Sequence, residues 1–234
     1  MYLSRLMLNP ENRQVQKDLS DCHNLHRTLL RAFEFDEKSD FPRNSVGLLH
    51  RTDIDPRARM PVVLAQSNIK PDWSNIEGRF KRYFVSYEEA RDIKSVESAY
   101  QGLKQEQVLS FRLRANPTRK VNTKSNPDGT KSNGRREPIR GDREQIDWLK
   151  RKGDQAGFTL LSVALNQDVL DMRSLTETAM QVGEKNTHRM TFHSVLYEGR
   201  LRITNVDLFQ DALRKGIGPA KAYGFGLLSI KRGS

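Results

Sequence analysis

The chain has 234 residues, which suits one large domain or two small domains of about 100 residues each. Lys and Arg number 40 against 29 Asp and Glu, so the formal net charge is +11. No run of about 18 apolar residues is present, and the first ten residues show no secretion signal, so we expect neither a membrane-spanning nor a secreted protein. We therefore expect a soluble, cytoplasmic protein whose partner is a polyanion.

The excess positive charge is concentrated in one segment. Residues 112–152 hold 13 basic and 5 acidic residues. A field this concentrated attracts phosphate and speeds the encounter with nucleic acid. A run of charge is also typical of a solvated loop, but this run begins in a predicted strand, on which Arg112 and Arg114 share one face. We interpret the segment as a surface that binds nucleic acid.

The first half of the chain predicts four strands and one clear helix. An apolar run at residues 2–8 predicts a buried strand, and the helix follows after Ser20 and Asp21, which both suit an N-cap. The order of elements is β-α-β-β-(short or missing helix)-β, which is the ferredoxin-like arrangement. The predicted helix spans residues 22–35, and the later strands span residues 46–50, 61–66 and 80–87.

The second half predicts the same order of elements without repeating the residues. Its first strand, at residues 107–121, alternates apolar Leu109, Phe111 and Leu113 with polar residues. We therefore predict an α+β fold of two tandem ferredoxin-like (RRM-like) domains, at residues 1–103 and 104–234. The remaining elements are a loop at 123–134, a helix at 143–156 ended by Gly157, strands at 158–165 and 191–197, a helix at 207–215 and a strand at 224–230.

Residues 216–226 read GIGPAKAYGFG and place four glycines between a predicted helix and a predicted strand. Dinucleotide-binding and P-loop motifs require the opposite order, a strand followed by a helix, so we expect no nucleotide cofactor. Glycine permits positive φ and close approach of backbone N–H groups to a ligand, and Lys221 adds a charge. The alternative is a tight crossover that packs closely on the sheet.

The helix at 22–35 carries the candidate chemistry. On a helical wheel, Leu25 and Leu29 face the sheet, His26 lies at the edge of the apolar arc, and His23 lies one turn earlier on the same side. A histidine can take or supply a proton at neutral pH. A His-x-x-His pair is also a common surface feature. Arg27 and Arg31 point further outward, where they could grip a phosphate.

Metal binding is not indicated. Cys22 is the single cysteine, which excludes an internal disulfide and a multi-cysteine metal site. Cys22, His23 and His26 are close enough in sequence to suggest zinc, but Cys22 faces the predicted core and no further cluster of ligands accompanies them. We expect neither a metal nor any small-molecule cofactor.

Several blocks of sequence resemble one known family. MYLSRLMLNP, FRLRANP, WLKRKGDQAGF, YEGRL and GIGPAKAYGFGLLS occur in the order found in the CRISPR repeat-processing endoribonucleases of the type I-E Cascade system, members of the repeat-associated RNA-binding (RAMP) superfamily. The resemblance implies two ferredoxin-like domains that bind the stem-loop of each CRISPR repeat and cut the precursor RNA at the 3′ base of the stem. It further implies metal-independent attack by a 2′-OH, which leaves a 2′,3′-cyclic phosphate and a 5′-OH. The enzyme would then stay with the guide RNA among other Cascade subunits.

The resemblance also implies roles for individual residues. The family's usual pattern on the first helix is Tyr-x-x-His, in which His26 matches the histidine and His23 stands at the tyrosine position. We expect His26 and His23 to be catalytic, although His23 could instead contact only phosphate. The alternative function is a non-catalytic subunit that binds the stem-loop and caps the guide RNA. The predicted RNA-binding residues are Arg27, Arg31, Arg112, Arg114, Arg119, Lys120, Arg135, Arg136, Lys185 and Arg189, with Gly216, Gly218, Lys221, Gly224 and Gly226 of the glycine loop.

Overall fold

The computed structural model describes residues 1–33, 45–85, 91–121, 134–163, 169–177, 181–185 and 188–232. Within these ranges, the side chains of residues 181–185 and 188–189 are not described. The predicted loop at 123–134 lies, apart from its last residue, outside the described residues.

The first sheet has four antiparallel strands in the order β2-β3-β1-β4. Helices α1 and α2 lie between β1 and β2 in the chain, and α3 lies between β3 and β4, so the sheet has the strand order and connections of a ferredoxin-like domain. These elements are β1 (Tyr2–Met7), α1 (Arg13–Ser20), α2 (Cys22–Leu29), β2 (Leu49–Ile54), β3 (Pro61–Ser67), α3 (Ser74–Arg79) and β4 (Arg91–Ser95), with a 3₁₀ turn at Leu30–Ala32 after α2.

The second half contains a second sheet and two hairpins. Its elements are α4 (Glu97–Gln101), β5 (Val108–Ala115), β6 (Thr118–Val121), β7 (Arg135–Pro138), α5 (Asp142–Gln155), β8 (Phe158–Leu160), β9 (Met172–Thr176), β10 (Gln181–Lys185), β11 (His188–Phe192), β12 (Val195–Ile203), α6 (Val206–Lys215) and β13 (Leu228–Arg232), with a 3₁₀ turn at Lys221–Tyr223. The main sheet has the antiparallel order β13-β5-β12-β8, and β9 also pairs with β12. Separate antiparallel hairpins join β6 to β7 and β10 to β11.

This topology confirms the predicted α+β fold of two ferredoxin-like domains. In both main sheets, the strand that opens the repeat lies between the fourth and the third, as that fold requires. The predicted alternation in β5 is also confirmed, because Leu109, Phe111 and Leu113 are buried in the core of the second sheet. None of the helices in the described ranges has the length and apolar character needed to cross a bilayer.

The two domains share an extensive interface. Val96, Tyr100 and Leu103, which flank or belong to α4, pack into the core of the second sheet. The Tyr100 hydroxyl donates to Gln66 Oε1 at 2.9 Å, and Gln66 Nε2 donates to the Leu213 carbonyl at 2.6 Å. The first half of the chain is therefore tied to the second through buried polar contacts. The boundary between residues 103 and 104 stays a prediction.

The predicted fourth strand at residues 80–87 is wrong. The fourth strand of the first sheet is Arg91–Ser95, and in the earlier segment Phe84 makes only an isolated bridge to Leu8. Tyr83 and Phe84 are buried in the core of the first domain, which produced an apolar pattern without a strand. The β4 residues RDIKS are mostly exposed at a sheet edge, so β4 carries no apolar alternation.

Other boundaries differ from the predictions. Helix α1 was not predicted because Val15 is the one apolar residue that it buries. The helix begins after Asn12, whose side chain accepts hydrogen bonds from two backbone N–H groups. The predicted helix at 22–35 ends its α-helical part at Leu29. The strand predicted at 46–50 is β2, which begins at Leu49 and runs to Ile54. The strand predicted at 158–165 is observed at Phe158–Leu160. The strand predicted at 191–197 is observed as two strands, His188–Phe192 and Val195–Ile203. The strand predicted at 224–230 is observed at Leu228–Arg232.

Candidate active site and nucleic-acid interface

Helix α2 presents the two predicted catalytic histidines. Its N-cap is Asp21, whose carboxylate accepts from the His23 backbone N–H at 2.8 Å. Leu25 and Leu29 are buried against the first sheet, as the wheel predicts. His26 is half-buried, and its Nδ1 is enclosed by protein.

A second imidazole lies beside His26. His50, on β2, is fully buried, and its ring lies nearly parallel to that of His26 at 27°, with the ring centroids 5.4 Å apart. Burial lowers the pKa of His50 to about 3, with a smaller contribution from His26. His50 therefore stays neutral at physiological pH and is excluded as a proton donor. The sequence analysis did not identify this residue.

The buried imidazole of His50 makes the free energy of unfolding depend on pH. The folded protein keeps the ring neutral because its pKa is about 3, whereas the unfolded chain protonates it below its ordinary value of 6.5. The stabilisation is complete above pH 6.5 and is lost as the pH falls towards 3, at up to about 1.4 kcal/mol per pH unit. A His50→Phe variant lacks this dependence. Chemical denaturation at pH 7.5 and pH 5 should show the wild type losing about 2 kcal/mol more than the variant, and an equal loss in both would contradict a neutral buried ring.

His23 lies where the two domains meet. Its ring is 5.9 Å from that of Tyr223, in the glycine loop, and the Tyr223 ring is 4.6 Å from that of Phe192 at the end of β11. Burial raises the pKa of the Tyr223 hydroxyl, and the nearby Cys22 and Asp21 act in the same direction. Helix α2 also contacts β10. The first domain therefore supplies the imidazoles, and the second domain supplies the wall beside them.

The backbone conformation of the glycine loop accounts for its four glycines. Gly216, Gly218, Gly224 and Gly226 all have positive φ, between 73° and 86°. A Cβ at Gly226 would lie 2.8 Å from the Ile217 carbonyl oxygen, so the loop packs on itself. The Gly226 N–H also donates to the Arg114 carbonyl at 2.8 Å, which fastens the loop to β5. The tight-crossover alternative accounts for these contacts, and RNA binding by the glycines stays a prediction.

Cys22 is partly buried beside this site. Burial raises the pKa of its thiol to about 12, and the Asp21 carboxylate adds to the rise, so a thiolate does not form at neutral pH. Across the residues that the structure describes, no group of three or more His, Cys, Asp and Glu side chains is placed to hold a metal ion.

Arg112 and Arg114 make ion pairs within the protein. Arg114 is mostly buried and holds Glu177 with two nitrogens, at 2.7 and 2.6 Å, while Arg112 pairs with Glu198. Both also approach Asp53 on β2, at 3.7 and 3.8 Å. These contacts join β5 to the first domain. The ionic partners observed for Arg112 and Arg114 are carboxylates of the same chain. RNA binding by these two residues stays a prediction.

Four other predicted RNA-binding residues come together on the β6–β7 hairpin. Arg119 lies opposite Glu137, Lys120 opposite Arg136, and Arg135 at the far end of the ladder, and all four basic side chains are exposed. Segments separated by the whole 122–133 stretch thus form one basic surface, which we name the basic hairpin (Arg119, Lys120, Arg135 and Arg136).

A cavity of about 460 Å³ connects the basic hairpin with the glycine loop. Burial lowers the pKa of the Lys221 ammonium, and the positive charges of Lys215 and Lys152 contribute to the decrease, whereas the Asp211 carboxylate opposes it. Lys215 is paired with Asp211 at 2.8 Å, so the net positive charge that favours an anion in the cavity comes mainly from Lys152, Lys221 and Arg136. Lys152 and Lys215 were not predicted, because only the fold brings the ends of α5 and α6 together. The lining includes Arg136, Trp148, Lys152, Lys215, Gly216, Gly218 and Lys221.

The other predicted RNA-binding residues are more dispersed. Arg27 and Arg31 are exposed on α2 and on the 3₁₀ turn that follows it. Lys185 and Arg189 lie on the β10–β11 hairpin, where Lys185 pairs with His188 across the ladder, and their side chains are outside the described part of the chain. The predicted basic residues therefore lie on several separate elements of both domains.

Comparison with known proteins decides the family. A family model described as CRISPR associated protein matches residues 1–232. The chain belongs to this CRISPR-associated family. The resemblance to the type I-E repeat-processing enzymes is confirmed, since the chain is 31% identical to the CRISPR-associated endoribonuclease Cse3 of Thermus thermophilus over 98% of this chain and 99% of that protein.

Two further relatives support this membership of the CRISPR-associated family. The chain matches a structure of CRISPR endoribonuclease Cse3 bound to a 19-nucleotide RNA with a TM-score of 0.79 and 30% identity, covering 99% of this chain and 100% of the other. It is also 33% identical to the Cascade subunit CasE of Escherichia coli, over 52% of this chain and 57% of that protein. The similarity to Cse3 thus covers both ferredoxin-like domains.

Proposed function

We propose that the protein is a metal-independent endoribonuclease that cuts CRISPR precursor RNA at the 3′ base of the repeat stem-loop and then stays on the guide RNA as a Cascade subunit. The observation that carries the proposal is the half-buried His26, with its Nδ1 enclosed, on helix α2, which contacts β10 and the 3₁₀ turn of the glycine loop in the second domain. The proposal is supported by relatives of this family, one named a CRISPR-associated endoribonuclease and another a Cascade subunit.

The reaction uses the RNA's own hydroxyl as the nucleophile. The 2′-oxygen forms a bond to the neighbouring phosphorus, the bond from phosphorus to the 5′-oxygen breaks, and the products carry a 2′,3′-cyclic phosphate and a 5′-OH. One proton must leave the 2′-hydroxyl and one must reach the departing 5′-oxygen. His26 Nε2 performs one transfer, and His23, one turn earlier on α2, performs the other.

Negative charge that develops on the phosphorane is offset by nearby cations. Arg27 follows His26 directly and is exposed, so its guanidinium can reach a phosphate held against α2. A second role for His23 remains consistent with the geometry: its ring packs on Tyr223, and from there it can contact phosphate without moving a proton.

Binding of the stem is assigned to the second domain. The basic hairpin and the Lys152–Lys215–Lys221 cavity supply cations, which meet phosphates rather than base edges. Double-stranded RNA is read mainly through its shape and its phosphates, because its major groove is too narrow for side chains. Affinity for the repeat should therefore fall as salt rises.

The direct test is cleavage of a repeat RNA in EDTA, followed by analysis of the new ends. We expect a cut at full rate, a 5′ end that polynucleotide kinase labels without prior phosphatase treatment, and a 3′ end that acid opens to a monophosphate. A matched reaction with Mg²⁺ in place of EDTA serves as the control. Cleavage that occurs only with Mg²⁺, or that leaves a 5′-phosphate, would overturn the mechanism.

The alternative, a non-catalytic subunit that binds the stem-loop and caps the guide RNA, predicts tight binding in the same experiment with no new ends. The presence of two imidazoles at the exposed edge of α2 favours the enzyme over the binding subunit, because phosphate binding alone requires cations and not proton transfer.

A further inference from the structure

The environment of His50 is unusual for a buried polar side chain. The ring is completely enclosed between α2 and the first sheet, and no residue in the described ranges hydrogen-bonds either ring nitrogen. Buried polar groups are nearly always hydrogen-bonded, because an unsatisfied group loses its hydration without compensation. A phenylalanine of similar size would fill this position at lower cost, so packing alone does not account for an imidazole here.

His50 faces the imidazole of His26, which transfers a proton in the proposed reaction. The two rings lie 5.4 Å apart between centroids and are 27° from parallel, and the enclosed edge of His26 carries Nδ1. The two rings are stacked, so a hydrogen bond from His26 Nδ1 to a His50 nitrogen requires the His26 ring to turn out of this arrangement. Catalytic hydrogen bonds are often long or misaligned in a free enzyme and shorten when substrate binds.

Proton transfer by Nε2 depends on what happens at Nδ1. A histidine that presents an unprotonated Nε2 to a hydroxyl must carry its proton on Nδ1, and that N–H needs an acceptor in the protein interior. His50 can be that acceptor only while it is neutral, and its burial keeps it so. After burial, the positive charge of His26 is the second influence that lowers the pKa of His50.

We propose that His50 is a positioning residue for His26: its neutral imidazole accepts the Nδ1–H of His26 during the reaction and so fixes the tautomer and orientation that present Nε2 to the RNA. This inference rests on the proposed function. His50 touches neither RNA nor the reacting atoms, and it acts only through His26.

The test separates this role from packing with two variants and a control. His50→Phe keeps the ring volume and removes both nitrogens, whereas His50→Gln keeps a hydrogen-bonding group. Ile76→Val is the control, because it perturbs the buried core of the first domain away from α2's histidines. Each protein is compared for thermal stability at pH 8, affinity for a repeat RNA with a 2′-deoxy scissile nucleotide, and single-turnover cleavage rate at saturating enzyme.

We expect His50→Phe to be at least as stable as the wild type and to bind the deoxy RNA within about twofold. Its cleavage rate should fall about 10- to 100-fold, the range seen when a group that orients a metal-bound histidine is removed. His50→Gln should cut faster than His50→Phe, and Ile76→Val should cut at the wild-type rate. Nitrogen NMR of the His26 ring should show the Nδ1–H tautomer in the wild type and a mixture in His50→Phe.

A wild-type rate in His50→Phe, or equal slow rates in both His50 variants, would overturn the positioning role. These outcomes leave the proposed function intact as long as the wild type still cuts. Failure of the wild type to cut at all would instead contradict the proposed function.

Discussion

A His26→Ala variant is expected to cut repeat RNA about 10²–10⁴-fold more slowly than the wild type while binding it with similar affinity. The imidazole is half-buried at the edge of α2, and its loss leaves the buried stripe of Leu25 and Leu29 intact. The fold and the basic surfaces should therefore persist, and only the proton transfer is removed. Single-turnover cleavage and filter binding on the same preparation measure the two effects separately.

A second histidine provides the control for this experiment. His193, in the second domain, is partly buried, and its Nε2 lies 3.1 Å from Gln145 Nε2. His193→Ala removes an imidazole of the same size that belongs to neither α2 nor the glycine loop, and the variant should cut within about twofold of the wild type. If His26→Ala retains full cleavage, α2 does not carry the chemistry and the chain is a stem-loop-binding subunit.

A repeat RNA that lacks only the 2′-hydroxyl at the scissile nucleotide is expected to remain uncut by the wild-type protein. The missing oxygen is the proposed nucleophile, so no bond to phosphorus can form in its absence. Binding should be unchanged, because one hydroxyl contributes little beside the phosphate contacts of the whole stem.

The position of the deoxy nucleotide supplies the control in that experiment. A deoxy substitution one nucleotide away from the scissile position should be cut at the ordinary site and rate. Cleavage of the scissile deoxy RNA at the same phosphate would show that a different nucleophile attacks, and would require a mechanism based on water.

Most of the fold could be predicted because local pattern and tertiary role agree along much of the chain. In β5, apolar residues alternate with polar ones, and the structure buries the apolar face as expected. The hydrophobic pattern predicts the wrong element where buried residues do not recur with the period of a strand or helix. Tyr83 and Phe84 are core residues in a non-strand segment, while the exposed edge strand Arg91–Ser95 shows no alternation.

Only the part of the candidate site on helix α2 could be predicted, because its two histidines form a local His-x-x-His motif. His23 and His26 are three residues apart on one helix, so their proximity follows from the helical period. His50 comes from a distant strand whose sequence, LHRTDI, has mostly polar residues, and nothing local indicates that its ring is enclosed against α2. Lys152 and Lys215 likewise join Lys221 only through the packing of two helix ends.

The contact between α2 and the glycine loop has a consequence during synthesis of the protein. His23 is translated about 200 residues before Tyr223, whose ring packs on it. A nascent chain that has not yet reached Tyr223 therefore exposes its histidines without this wall. We expect such a chain to lack the cutting activity proposed for the folded protein.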